Sequence, residues 1–399
     1  DGSFTESAMT SGITDTLWSS SAAIADFNSD GAPDIYVSHY VNWSLDNNPV
    51  CPDPSSGKRD VCPPRDFSPL ADLLYLNSGE GRFVDASSSW NLRVDGKGLG
   101  VLAGDVDLDG DVDIYVSNDT TANFLYRNTG QQFEDIGMIS STAMGHRGTA
   151  NGSMGSDLGD FDNDGLPDLW VTNYEREVFA LYRNSGAHYF QPVSQDVGIA
   201  GIDALYVGWG TAFLDADRDG DLDIFCSNGH VIRHPVASPV RQLPLLLENH
   251  SGSKFQNVAP AAGDYTSLPH KGRGLAVGDL DNDGDLDVTI SHVNEPVAIL
   301  ENRSLTDHDW IGFQLIGRQC SRDAVGASVR LQLDDGSLQI RQVNAGGSYA
   351  SSSGHQLFFG LAAHRIRHAS VSWPSGAHSH FDDLSLRRVH TLIEPKSSR

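Results

Sequence analysis

Along the first three quarters of the chain, short apolar runs rich in β-branched and aromatic residues alternate with acidic, glycine-bearing turns. The runs IYVSHY, IYVSND, LWVTNY, IFCSNG and VTISHV have the length and composition of strands. Each follows an acidic loop, and most of the loops are entered from small-residue runs such as LGVLAG, GSMGSDLG, GWGTAFL and GRGLAVG. After a variable connection come LLYLNSGEGRFVDAS, FLYRNTGQQFEDI, ALYRNSGAHYFQPV and LLLENHSGSKFQNV, each with an Asn- and Gly-bearing turn. Strand, acidic loop, strand, turn, strand predicts a repeating all-β unit of four short strands.

The loops start at Asp26, Asp105, Asp160, Asp215 and Asp279, so successive starts lie 79, 55, 55 and 64 residues apart. Units of this size cannot bury their own faces, and radial packing into a β-propeller leaves few free edges. Five blades are counted; six or seven stay open if the longer gaps hold degenerate units. The opening GSFTESAMTSGI is similar to GRFVDASSSWNL, which predicts an N-terminal strand that closes the ring by completing the last blade. After about Thr306 the acidic loops stop, and WIGFQLIG, ASVRLQL, QIRQVNA, HQLFFGL and ASVSWPSG predict a small β-sandwich. The expected division is therefore 1–305 and 306–399.

The loops carry the clearest chemistry. Side-chain oxygens recur at positions one, three, five and nine, with glycine at six and a main-chain carbonyl available at seven. The predicted ligand sets are Asp26, Asn28, Asp30, Ala32 and Asp34; Asp105, Asp107, Asp109, Asp111 and Asp113; and Asp160, Asp162, Asp164, Leu166 and Asp168. The last two are Asp215, Asp217, Asp219, Asp221 and Asp223, and Asp279, Asp281, Asp283, Asp285 and Asp287. Calcium takes six to eight hard oxygens in flexible geometry; magnesium demands a tight octahedron, and transition metals would recruit the His or Cys that these loops lack. An EF-hand would need Glu at position twelve, where this chain has Val37, Val116, Val171, Cys226 and Ile290. About five hairpin calcium sites are expected.

The net charge of −26, from 53 acids and 27 bases, argues against nucleic acid and anionic membrane surfaces as partners. No apolar run reaches the ~18 residues of a membrane helix, so membrane insertion is not expected. Cys51 and Cys62 bracket a Pro- and charge-rich segment inside an insert near 42–72, which predicts a disulfide and an oxidising compartment. The first residues hold no signal peptide, so either the protein is cytosolic or a signal peptide has been removed; with the disulfide, a secreted, extracellular or periplasmic protein is expected. Pairing of Cys226 with Cys320 stays open.

These repeats resemble the FG-GAP/VCBS repeats of integrin-type propellers. HDWIGFQLIG, SRDAVGASVRL, QIRQVNAGGSYASSSGHQLFFGL and VSWPSG resemble the ASPIC/UnbV domain of the cartilage acidic protein-like family. The resemblance implies secretion and calcium binding, and it implies no agreed activity.

No GxSxG elbow, HExxH, P-loop or dinucleotide fingerprint is present, and GGSYASSSG reads as a turn between strands. Five residues beyond each loop come His39, Asn118, Asn173, Asn228 and His292. They are placed at the strand ends opposite the acidic loops, as caps of main-chain groups or as the lining of a propeller mouth. The candidates for a ligand site there are His39, His146, Trp209, His230, Arg273 and His292. Three functions are open: a binding or assembly module for a protein or glycan ligand, or for copies of itself; a lyase or hydrolase, glycan-directed; and a structural subunit of an extracellular array.

Overall fold

The computed structural model describes residues 2–202 and 205–396. Five antiparallel sheets follow one another along the chain. The first four have four strands each: Ser19–Ala25, Asp34–His39, Leu73–Asn77 and Phe83–Asp85 form the first. The second runs through Gly98–Gly104, Asp113–Asn118, Phe124–Asn128 and Phe133–Asp135. The third uses Ser156–Gly159, Asp168–Val171, Ala180–Asn184 and Phe190–Pro192, and the fourth Gly208–Leu214, Asp223–Asn228, Leu245–Asn249 and Phe255–Asn257. The fifth has three strands, Gly272–Gly278, Asp287–His292 and Ala298–Leu300. Among the described residues the helical content is one short α-helix, Ala8–Ser11, and three 3₁₀ turns, and no helix is long and apolar enough to cross a membrane.

The small-residue runs are the innermost strands, and each packs on the innermost strand of the next sheet. Glycine is required there: a Cβ on Gly155 would meet the Trp209 carbonyl well inside contact distance, and one on Gly210 would meet that of Arg273. The first two strands of the second and fourth sheets are buried at every position. The corresponding strands of the first and fifth are only partly buried, because those sheets stand at the ends of the series.

A second device ties sheet to sheet. The Asn at or just beyond the end of each third strand donates its side-chain N–H to the second position of the preceding sheet's acidic loop. Asn128 reaches Phe27 O (2.8 Å), Asn184 reaches Val106 O (2.8 Å), Asn249 reaches Phe161 O (2.7 Å) and Asn302 reaches Ala216 O (2.8 Å). Asn77 has no preceding sheet and donates to Pro33 O of its own loop. Orphaning a buried partner costs about 1–3 kcal/mol. Asn184→Ala, which frees Val106 O and Pro167 O, is therefore expected to lower stability in urea by several times the effect of Asn77→Ala. Equal losses would contradict the clamp.

The N-terminal closure expected from the sequence is not what forms. Among the described residues no strand precedes Ser19. The segment turns through Ala8–Ser11, Gly12 adopts φ 88°, and the chain lies along the outer strand of the first sheet, where Arg82 donates to Thr10 O. Asp15 then fixes it to that sheet by a 2.7 Å contact with His39. The similarity to GRFVDASSSWNL misled because a sequence rich in Ser, Thr and Gly suits a turn as well as an edge strand.

From Trp310 two further sheets form. Trp310–Ile316 lies between Leu357–Gly360 and, in parallel, Val389–Ile393; Ser328–Leu333 lies between Leu338–Gln342 and Ile366–Ser372, with His378–Phe381 at the edge. Their apolar faces share one continuous core with the first and second repeat sheets, running from Ala23, Phe27 and Val112 to Phe313, Val329 and Val371. The turn expected at GGSYASSSG is instead a finger. Ala345 and Gly346 pair with Ala103 and Leu102 of the second sheet. Ser348 N–H donates to Ser156 O of the third sheet, while its hydroxyl accepts from Thr211 N–H of the fourth and donates to Leu275 O of the fifth. Ser351 and Ser353 continue along the fifth. The finger thus fills the space between the innermost strands.

Candidate functional site: the acidic loops and the opposite mouth

All five acidic loops share one backbone course. The residue at position four has φ between 56° and 65°, and the glycine at six between 87° and 99°, a region glycine enters without strain. In four loops the first Asp accepts main-chain N–H groups of positions five and six, as Asp105 does from Asp109 (3.1 Å) and Gly110 (2.9 Å), while Asp215 accepts from Gly220 and Gly360. The ninth-position Asp holds position two and the third strand: Asp113 accepts from Val106 N–H (3.0 Å) and Asn128 N–H (2.7 Å).

This course gathers oxygens. Asp105, Asp107 and Asp113, then Asp160, Asp162 and Asp168, then Asp215, Asp217 and Asp219 each bring ligand atoms within 4.8 Å of one another. Asp162 Oδ1 and Asp215 Oδ1 are buried with no hydrogen-bond partner. Burial pushes the carboxyls of Asp105, Asp160 and Asp215 up to about 7, and that of Asp34 to about 6. Buried carboxylates with unused lone pairs are a donor set for a hard cation. Basic side chains already engage some rim oxygens: Arg183 Nε lies 2.6 Å from Asp162, His188 Nδ1 3.1 Å from Asp107, and Arg218 Nε 3.0 Å from Asp285.

The C-terminal sheets lie over this face. The position-six glycines abut Gln319, Pro374, Leu338, Gln339 and Trp310 in turn. Arg341 is buried beside the third and fourth loops, donating to Gly220 O at 3.1 Å; burial lowers its pKa, opposed by the charges of Asp215 and Asp160.

The strands carry the chain from the covered loops to the opposite face, where a cavity of about 1050 Å³ opens. Trp18, Tyr40, Trp43, Tyr174, Trp209 and Tyr349 line it, with Asp119, Glu177 and three arginines between them. Its floor is the finger tip: Tyr349 packs edge-on against Trp209 with centroids 4.6 Å apart. One wall belongs to the disulfide-closed insert, Cys51 to Cys62. Asp60 of that insert crosses to the fourth sheet's connection and accepts N–H groups of Arg233 (2.7 Å) and His234 (3.0 Å).

Of the six ligand candidates, Trp209 and Arg273 line the cavity. The Arg273 guanidinium lies 4.1 Å above the Trp209 ring. His230 sits just behind them, buried edge-on to Tyr174 with Nε2 3.6 Å from Glu175. His39 is fully buried on Asp15 and Ala71 O, His292 bonds Tyr265 and Pro296 O outside the cavity, and His146 is exposed in the loop after the second sheet. Asn118, Asn173 and Asn228 bond main-chain carbonyls of Ala122, Val178 and Leu243. Sequence reasoning missed Asp119 and Glu177, which stand in variable connections with no repeat to mark them.

Burial raises Glu177 from 4.5 to about 7, although it accepts N–H groups of Gly152 and Tyr174. A carboxyl raised on folding adds stability below its unfolded value, and that contribution is lost as pH rises through its folded value. Melting temperature is expected to fall between about pH 5 and pH 8, and Glu177→Gln, which keeps the acceptor, should flatten part of that slope. An unchanged slope in the variant would assign it elsewhere.

The FG-GAP-like repeat family matches residues 105–171 and 160–226, and the ASPIC and UnbV family matches 317–399. Cartilage acidic protein 1 of Xenopus tropicalis is 25% identical over 287 residues, covering 70% of this chain and 42% of that protein. Its Homo sapiens counterpart is 22% identical, covering 92% and 52%. The chain therefore spans about half the length of the curated relatives it matches. Among solved structures, an Agrocybe aegerita lectin described as recognising non-reducing terminal N-acetylglucosamine aligns at 16% identity and TM-score 0.34, over 71% of this chain and 81% of that one. The Vibrio cholerae biofilm matrix protein Bap1 aligns at 10% identity and TM-score 0.37, over 92% and 60%. The repeats and the C-terminal match together show that the chain belongs to the proteins joining FG-GAP-like repeats to an ASPIC/UnbV domain, homologous to cartilage acidic protein 1.

Proposed function

We propose that the chain is a secreted binding module whose ligand, a glycan or a protein, sits in the aromatic mouth. In this reading its five repeat units form a propeller-like scaffold braced by about five calcium ions. Each ion offsets two of the negative charges of one acidic loop, held by the first, third, fifth and ninth side chains and the seventh carbonyl. The observation that carries the ligand site is the cavity of about 1050 Å³ with three tryptophans and three tyrosines, on the face left open when the C-terminal sheets cover the loops. Sites that fix ligands are concave and mostly apolar, with a few convergent polar groups. The homology and the disulfide support an extracellular setting.

A glycan array probed with the calcium-loaded chain, beside Trp18→Ala and Trp43→Ala, tests this. Binding that both variants weaken at least tenfold supports the mouth. Binding that neither changes overturns it. A second reading, a hydrolase or lyase, draws on Glu177 and Asp119, two carboxyls raised by burial in one cavity. New reducing or unsaturated ends from a bound oligosaccharide would establish it.

A further inference from the structure

Arg273 stands apart from the other charges of the mouth. Its guanidinium lies over Trp209 and donates to the carbonyls of Gly229, Gly272 and His230. Among the described residues it forms no ion pair. Burial lowers it to about 10, and the main opposing influence is the Tyr349 phenol. The buried arginine Arg341, by contrast, is surrounded by carboxylates. In a chain with 53 acids and 27 bases, a half-buried cation left without an acid stands out, since charges withdrawn from water are usually paired.

The carboxylates sharing the cavity do not relieve it, because each is already held by the protein. Asp60 accepts from two main-chain N–H groups, Asp119 from the Tyr40 hydroxyl, and Glu177 from Gly152 and Tyr174. Arg59 and Arg233 also line the cavity, and neither forms an ion pair among the described residues. The mouth therefore offers guanidinium groups without ion pairs beside acids already engaged by hydrogen bonds.

The remaining lining is aromatic and flat. Trp18 and Trp43 are 44% and 37% exposed, with rings 5.5 Å apart. Exposed tryptophan faces accept the apolar faces of sugar rings, and an arginine fork fits a carboxylate or sulfate bidentately.

We propose that the mouth takes an acidic saccharide, its carboxylate or sulfate paired with Arg273 and its ring faces laid on Trp18 and Trp43. This rests on the mouth being the binding site. The test is calorimetry on the full calcium-loaded chain with three probes: a uronic-acid trisaccharide, its carboxyl-reduced neutral counterpart, and a sulfated disaccharide.

At least one acidic probe is expected to bind tenfold or more tightly than the neutral one. Which acidic probe binds separates carboxylate from sulfate. Arg273→Gln should erase the preference, and Arg273→Lys, which keeps the charge without the fork, should retain part of it. Added salt should weaken the acidic probes alone. Equal binding of the acidic and neutral probes, reduced by Trp43→Ala, would overturn the acidic class and leave the mouth as the site. No binding of any probe would overturn the acidic class, and a silent glycan array beside it would remove the mouth as a glycan site as well.

Discussion

A chain ending at residue 305 is expected not to accumulate as folded protein. Removing the C-terminal sheets takes away the finger that pairs with Ala103 and Leu102 and bonds Val101 O, Ser156 O, Thr211 N–H, Leu275 and Val277. Each buried main-chain group left without a partner costs about 1–3 kcal/mol, and a whole domain is stable by only about 5–15 kcal/mol. The cut also opens the core that joins Phe27 and Val112 to Phe313 and Val329. A gentler version is Ser348→Ala, which frees Thr211 N–H and leaves Leu275 O to the Ser351 hydroxyl, and should cost about 1–3 kcal/mol in denaturant. A soluble 1–305 fragment with the near-ultraviolet spectrum and melting temperature of the full chain would show that the finger is dispensable.

Chelation is expected to have the next largest effect. Ligand at ten times its dissociation constant stabilises by about 1.4 kcal/mol per site, so five independent calcium sites would contribute about 7 kcal/mol. Extracellular calcium modules have constants of about 0.1–1 mM, which sets the concentrations to use. A chelator should lower the melting temperature by well over ten degrees, calcium should restore it, and magnesium should restore it poorly. Asp162→Asn and Asp215→Asn test individual loops, because both residues hold a buried oxygen with no partner. A melt indifferent to chelator would remove calcium from the scaffold.

Much of this arrangement was legible in the sequence, for physical reasons. Strand period and loop spacing are local properties, so the repeat units, their acidic loops and the change of pattern near Thr306 could be read directly. The Cys51–Cys62 bridge was legible because no apolar pattern could order that insert otherwise. What stayed hidden depends on partners distant in sequence. The finger 344–354 pairs with residues some two hundred and forty positions earlier, and nothing in GGSYASSSG says which strands it will meet. The side-chain bonds of Asn128, Asn184, Asn249 and Asn302 were masked by the role of Asn in turns. The mouth was located by strand direction, yet only Trp209 and Arg273 of the six named residues line it. Histidines at repeated strand ends were more attractive by type than by place, and His39 and His292 are engaged by neighbouring groups.

The finger also sets an order of events as the chain is made. The five sheets emerge from the ribosome or the export channel well before residues 344–354 exist. Until then their innermost edges carry unpaired N–H and C=O groups, the kind of exposed strand that recruits other chains. Residues 344–354 lock strands made much earlier, through contacts of very long sequence separation, which folding reaches slowly. Truncation before residue 344 should therefore be damaging, and an aggregation-prone intermediate should precede the native state during refolding.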